Sequence, residues 1–290
     1  MIKYFCSKSN IRRASIDRNI EKTDNNNAIS IRLKDSGRAD SVKTTEDIVY
    51  NANGQKLDMH LPEGNARAAF VYFHGGGLES GSKNKNAPYN KFLTDNGIAV
   101  MDVNYRMYPE AHCPDFIEDA ADAVAWAVKR APELAGTDKI FVGGSSAGGY
   151  LSMMLCFDKK YLAARGIDAN ALSGYVHDAG QPTTHFNVLR ERGIDSRRLI
   201  ADEFAPIYHI GAYGNKCAPM TFIVSDDDME NRFEQTQLVL STLRHFRYDE
   251  RMIHYTLMHG KHCAYDYSVD ENGESVFGKL IYDFIEKNLA

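Results

Sequence analysis

Residues Lys139 to Met154 read KIFVGGSSAGGYLSMM, an apolar run, then glycines around two adjacent serines, then a helix-like pattern. The pattern G-x-S-x-G fits in one frame, Gly144-Ser145-Ser146-Ala147-Gly148; the frame centred on Ser145 ends on Ala147 and fails. Such a strand-turn-helix elbow holds a nucleophilic serine in a strained conformation, and small neighbours let strand and helix pass closely. Ser146 is the nucleophile this spacing selects, at a helix start whose free N–H groups favour developing negative charge. A phosphate loop fits worse, because no Lys follows as in a P-loop and G-x-G-x-x-G spacing is absent.

Attack by a serine on an acyl carbon creates an oxyanion, which needs backbone N–H donors with no side chain in the way. In VYFHGGGLESGS a strand-like run ends at His74 and three glycines follow. Gly76 and Gly77 are the expected donors from this loop, with Ala147 from the elbow, while His74 is expected to hold the loop by hydrogen bonds. An acid is needed to orient the base. MTFIVSDDDMENR offers Asp226, Asp227 and Asp228, and Asp228 is favoured because a short turn after the strand must bend back toward the elbow. MIHYTLMHGKHCAYDYS offers His254, His259 and His262. His254 falls on a sheet face by alternation; His262, in the loop after Gly260, is the expected base, with His259 the rival. A metal site from these histidines and Cys263 matches no familiar zinc spacing, and no metal or cofactor is expected. The order Ser146, Asp228, His262 is the one an α/β-hydrolase sheet requires.

The elements that must position these residues follow from apolar periodicity. Short β-branched runs at DIVYN, KLDMHL, AAFVYFH, IAVMDVNY, KIFVGGS, GYVHDAG, MTFIVS and MIHYTLM predict roughly eight strands. Helical spacing joins Phe116, Ala120, Ala123, Val124, Ala127 and Val128, with further helices after Ser146, over about 230–246, and at Leu280, Ile281, Phe284 and Ile285. Alternation of helices with nearly continuous apolar strands predicts an α/β fold with a mostly parallel sheet covered on both faces, and an antiparallel edge from the two earliest strands. Residues 1–46 read as an extension, 47–290 as the main domain, and 181–216, polar and without a strand, as a small cap inserted between two strands. His185 and Phe186 of that cap are expected to shape the substrate pocket.

With these motifs the chain resembles α/β-hydrolases, specifically the HGGG-type esterases that include hormone-sensitive-lipase-like enzymes and bacterial acetyl esterases. The resemblance runs from about Ile48 onward. It includes VNYRMYPEAHCPDFIEDAADAVAW, similar to the segment where such enzymes carry a Tyr-Arg pair, a Pro-Glu pair and a Glu-Asp step before a helix, here Tyr105, Arg106, Pro109, Glu110, Glu118 and Asp119. Two departures, a Ser where many lipase-like relatives have Asp before the nucleophile and MYPE in place of LAPE, place it nearer small-substrate esterases than true lipases. The resemblance implies a short acyl group, such as acetyl, on a small alcohol or carbohydrate. A small-amide or formamide hydrolase or a peptidase would use the same triad, and a non-catalytic binding protein on this fold is a third reading.

Composition narrows the partners. At 290 residues, 43% hydrophobic and 25% charged, the chain has the make-up of a globular protein with a sizeable core. Its net charge of −5 is spread out, which gives no footprint for nucleic acid or an anionic membrane. Five cysteines without paired spacing suit a reducing compartment, and MIKYFCSKSNIRRAS lacks a signal-peptide apolar core, so a cytoplasmic location is expected. Self-association is left open.

Overall fold

The computed structural model describes residues 43–289. Its centre is an eight-stranded sheet of β1 (Lys43–Val49), β2 (Lys56–Leu61), β3 (Ala68–Phe73), β4 (Ile98–Val103), β5 (Ile140–Ser145), β6 (Gly174–Asp178), β7 (Met220–Asp227) and β8 (Ile253–Lys261). The order across the sheet is β1-β2-β4-β3-β5-β6-β7-β8. β2 runs antiparallel to both β1 and β4, and every other pair is parallel. The expected antiparallel edge is present. Its outer strand starts at Lys43, so residues 43–45, expected in the extension, pair with β2; residues 1–42 lie outside the described residues.

The helices are α1 (Pro88–Asp95), α2 (Asp115–Leu134), α3 (Ala147–Phe157), α4 (Lys160–Ala163), α5 (Phe186–Glu191), α6 (Arg232–His245) and α7 (Val276–Asn288). The period of two along β3 divides the core: Ala69, Val71 and Phe73 face one layer, and Ala68, Phe70 and Tyr72 the other. The first layer is closed by Phe116, Ala120 and Val124 of α2, Leu151 of α3 and Val239 and Leu243 of α6. The second is closed by Leu93 of α1 and Phe277, Ile281, Phe284 and Ile285 of α7. Because helices cover both faces, β3 to β6 are buried along their whole length, which is why they read as nearly continuous apolar runs, broken by Asp102 in β4 and by His177 and Asp178 at the end of β6. On α2 the expected face is the buried one, with Val128 at its partly buried margin.

Parallel strands bring their C-terminal ends to one edge of the sheet. From that edge β3 leads into the HGGG loop, β5 into the Ser146 elbow, β7 into Asp228 and β8 into His262. β3 and β5 are neighbours whose following strands, β4 and β6, lie on opposite sides of them. The loops after such a pair diverge and leave a crevice between them.

Residues 181–216 carry α5 and a short 3₁₀ turn (Pro206–His209) and contribute no strand to the sheet. They are tied to the HGGG loop, where Asn187 Nδ2 donates to the Gly77 carbonyl (3.0 Å) and Arg190 pairs with Glu79 (2.6 Å). Tyr150 of α3 donates its hydroxyl to the Phe204 carbonyl (2.8 Å).

After β4 the chain is pinned by Arg106 and Asp119. Arg106 donates from Nε (2.8 Å) and Nη2 (3.0 Å) to the two carboxylate oxygens of Asp119, its backbone N–H donates to the same carboxylate (3.0 Å), and Asn51 adds a further donor (3.0 Å). The Asp119 side chain is wholly buried while Arg106 is 28% exposed. Arg106→Ala should therefore strand a buried carboxylate and cost about 3–5 kcal/mol, read as a lowered urea midpoint with an unchanged slope.

Candidate active site

Ser146 stands at φ 55° and ψ −110°, a left-handed conformation unusual for a residue with a Cβ. It is held from both sides: its N–H donates to the Asp178 carbonyl (2.8 Å), and its own carbonyl accepts from Tyr150 N–H (2.9 Å). Such a conformation costs on the order of 1–3 kcal/mol and persists only where surroundings impose it. The glycines make that possible. A Cβ on Gly148 would collide with the Phe73 carbonyl of the neighbouring strand, so α3 could not start this close to β3 with any larger residue.

From Ser146 a hydrogen-bonded line leads outward. His262 Nε2 lies 2.8 Å from Ser146 Oγ, and His262 Nδ1 lies 2.5 Å from Asp228 Oδ1. Asp228 is fixed in turn by the Met229 N–H (2.7 Å) and the Ser225 N–H (3.3 Å). Burial works to raise the Asp228 carboxyl, but the His262 hydrogen bond and charge and these two amides outweigh it and hold the group below its ordinary range.

The rival acids and base go elsewhere. Asp226 pairs with His259 at the surface, and Asp227 with Lys261 (2.6 Å). His254 is partly buried, edge-on to Phe284 (5.7 Å). A second serine–histidine contact, Ser152 Oγ to His177 Nδ1 (2.9 Å), is wholly buried. Burial pushes the His177 imidazole down to about 3. The carboxylate nearest in role, Asp158, engages Lys160 (2.8 Å) and Tyr213 (3.1 Å), and none of Ser152, His177 or Asp158 lines the cleft at Ser146. Buried and without a carboxylate partner, that pair is a core contact.

Facing Ser146 is the HGGG loop. Gly76 (φ 116°) and Gly77 (φ 68°) hold backbone conformations that L side chains rarely adopt, and a Cβ on Gly76 would strike the Ser80 carbonyl. Among the described residues neither Gly76 nor Gly77 donates its N–H within the protein. Ala147, first residue of α3, has no intrahelical acceptor. Gly76 and Gly77 line the crevice, and Ala147 directly follows Ser146. His74 braces the loop: it stacks on Tyr105 (centroids 4.5 Å apart), places Nδ1 2.7 Å from the Gly75 carbonyl, and its own carbonyl accepts from the Tyr105 hydroxyl (2.8 Å). Burial pushes its imidazole down to about 4, so it stays neutral.

The crevice is an open cleft of about 520 Å³ lined by His74, Gly75 to Gly77, Ser146 and His262, with Phe186 and Met229 as its apolar contribution and Ser82, Asp266 and Tyr267 as its polar one. Phe186 thus stands where expected. His185 does not: it is 1% exposed, packs on Tyr150 and Phe186, and accepts from the Asn187 N–H (3.2 Å) as the cap of α5. Its polarity suggested a cleft residue, but one ring nitrogen is needed to satisfy a helix end. Missed altogether were Asp178, Tyr265 and Asp266, buried directly behind Ser146. The available signal was an Asp closing an otherwise apolar strand next to the elbow strand. With Cys263, Asp178 and Asp266 are the residues whose possible metal-ligand atoms lie within 4.8 Å of one another among the described residues. Hydrogen bonds from Tyr265 and Cys263 already engage Asp178. No helix among the described residues is long and apolar enough to cross a membrane.

A serine on an elbow, beside an imidazole and a carboxylate and faced by a glycine loop, is the geometry a nucleophile elbow requires. The BD-FAE family profile matches residues 57–190. Carboxylic ester hydrolase LipN of Mycobacterium tuberculosis is 35% identical over 96 residues, covering 32% of this chain and 26% of that protein. Hormone-sensitive lipase of Bos taurus is 32% identical over 127 residues, covering 42% of this chain and 16% of that protein. The chain thus spans about a quarter or less of these relatives. Among solved structures, a thermophilic esterase of Thermogutta terrifontis with butyrate bound superposes with a TM-score of 0.66 at 20% identity, covering 85% of this chain and 94% of the other. Esterase B of Lactobacillus rhamnosis gives 0.66 at 16% identity, covering 86% and 87%. The chain has the α/β-hydrolase fold of these solved esterases, and its residues 57–190 are similar to the BD-FAE family.

Proposed function

We propose that this protein is a serine hydrolase that cleaves short-acyl carboxylic esters of a small alcohol or carbohydrate. The observation that carries the reading is the unbroken line from Ser146 Oγ through His262 to Asp228, opposite three free amides. His262 Nε2 takes the Ser146 proton as Oγ attacks the ester carbonyl, and the Gly76, Gly77 and Ala147 amides receive the oxyanion. The imidazolium, steadied by Asp228, then protonates the departing alkoxide, and an acyl-enzyme remains. Water, deprotonated by the same imidazole, attacks the acyl carbon; the proton returns to Ser146 and the acid leaves.

The short-acyl preference rests on the cleft. An open cleft of about 520 Å³, whose apolar lining is Phe186, Met229 and the rings of Tyr72 and Tyr267, supports a small acyl group over a long chain. The butyrate-bound esterase of Thermogutta terrifontis shares the fold and supports the same direction. Initial rates on p-nitrophenyl acetate, butyrate and octanoate test it. We expect kcat/KM on octanoate to fall on the order of tenfold or more below that on butyrate; octanoate as the best substrate would exclude the short-acyl reading.

A further inference from the structure

Behind Ser146 lies a group of acids that the proposed reaction does not use. Asp178 closes β6 in register with Ser145, the residue before the nucleophile, and both Asp178 and Asp266 are buried. A carboxylate oxygen of each lies within 4.8 Å of the other, and Ser145, paired with Asp178 across the strands, accepts at Oγ from the Tyr72 hydroxyl (3.1 Å). Asp178 accepts from the Tyr265 hydroxyl and from the Cys263 thiol (3.8 Å), and its main-chain carbonyl accepts from Ser146 N–H (2.8 Å). Cys263, Tyr265 and Asp266 all belong to the loop that begins with His262. One residue at the end of β6 therefore holds the nucleophile through its backbone and the histidine loop through its side chain.

Two buried carboxyls in contact cannot both ionise without a large cost. Burial is the main cause that raises both: Asp178 is pushed up to about 6, and Asp266 well above the usual carboxylate range, with the charge of Asp178 adding to its rise. The groups around the pair do not replace a lost proton. Tyr72 of β3, Tyr89 of α1, and Cys263, Tyr265 and Tyr267 of the loop are neutral acids, and Asp228 adds negative charge. The basic groups nearby are committed: His262 bonds to Asp228 and Ser146, and Arg232 of α6 donates to the Ala179 carbonyl and to Gln181 (3.5 Å).

We infer that Asp178 and Asp266 are positioning residues, a carboxyl–carboxylate pair whose single shared proton docks the His262 loop against the elbow and keeps His262 Nε2 within reach of Ser146. The inference rests on the proposed roles of Ser146 and His262. With the proton present, Tyr265 and Cys263 donate to Asp178 from the same loop that brings the Asp266 carboxyl within 4.8 Å of it. When the proton leaves, two buried charges repel across the interface and the loop is pushed off. Folded-state pKa values raised in this way favour the protonated form, so docking weakens as pH rises.

The test uses Asp266→Asn, which keeps the donor to Asp178 but cannot ionise, and Asp178→Leu, which removes the acceptor. Each is measured for kcat and KM on p-nitrophenyl acetate across pH, and for amide hydrogen exchange of residues 261–268. We expect Asp266→Asn to lose or displace the alkaline fall in kcat by at least about one pH unit, whatever its kcat at neutral pH. We expect Asp178→Leu to lower kcat by tenfold or more with KM changed by less than about threefold, and to speed exchange in 261–268 while the core of β5 stays protected. An alkaline limb unchanged in Asp266→Asn, or wild-type kcat and exchange in Asp178→Leu, would overturn the inference. If Ser146→Ala were as active as wild type, the esterase reading would fall, and loop exchange would still decide the docking role.

Discussion

Ser146→Ala is expected to lower turnover on p-nitrophenyl acetate by on the order of 10⁶ with the fold intact. The size follows from what alanine removes. Without Oγ no acyl-enzyme forms, and water would have to attack from a position that His262 does not reach, since its Nε2 is fixed 2.8 Å from the serine oxygen. The free amides of Gly76, Gly77 and Ala147 survive, so a residual rate of about 10³–10⁴ over water should remain. Circular dichroism and thermal unfolding of the variant check the fold. Alanine still has to adopt φ 55°, and the bonds that impose it, from Ser146 N–H to Asp178 and from Tyr150 N–H to residue 146, are backbone bonds that alanine keeps. A loss below about 10² is the scale of one acid–base contact; it would mean that another group supplies the nucleophile. Stoichiometric labelling of wild type by a fluorophosphonate, lost in the variant, would identify the same oxygen by a route independent of turnover.

The residues whose placement was legible in the sequence are those whose positions local geometry enforces. A nucleophile elbow needs small residues at fixed offsets, because α3 and β3 meet at Gly148, so Ser146 was legible from five positions. The HGGG run was legible for the same reason: backbone N–H groups must face a ligand without side chains between. Asp228 and His262 followed from turn length after an apolar strand, and β3 to β6 from burial on both faces. The outer edge was not legible to the residue. β1 reads KTTEDIV and is exposed along nearly its whole length, so no apolar alternation marks its start. His185 was misread because its burial is decided by Tyr150 and Phe186, and its bond by the end of α5. The pairing of Asp178 with Asp266 joins β6 to the loop after β8, a contact made only when β7 and β8 complete the sheet. Nothing within either segment announces it.

Asp228→Asn should cost about 10⁴ in kcat while Asp226→Asn and Asp227→Asn cost little. The three acids are consecutive, yet their partners differ. Asp226 bonds His259 and the Gly260 amide at the surface, Asp227 pairs with exposed Lys261, and Asp228, its side chain buried, reaches the histidine that touches Ser146. Asparagine at 228 fits the same space, but its amide nitrogen can turn toward His262 Nδ1 and favour the tautomer with the proton on Nε2, which cannot accept from Ser146. It also leaves the imidazolium without a counter-charge. The pH profile separates this role from general destabilisation. The folded-state pKa of Asp228 is depressed, so its contribution to stability is complete above the unfolded value of about 4 and is lost only as pH falls through the lower folded value. Any acid limb of wild-type kcat near neutrality therefore does not come from Asp228 losing its charge. The variant should show its deficit undiminished across the neutral range, with KM little changed, because the carboxylate acts on the base and not on the bound ester. A comparable loss in Asp227→Asn would mean that the turn after β7 presents a different carboxylate to His262.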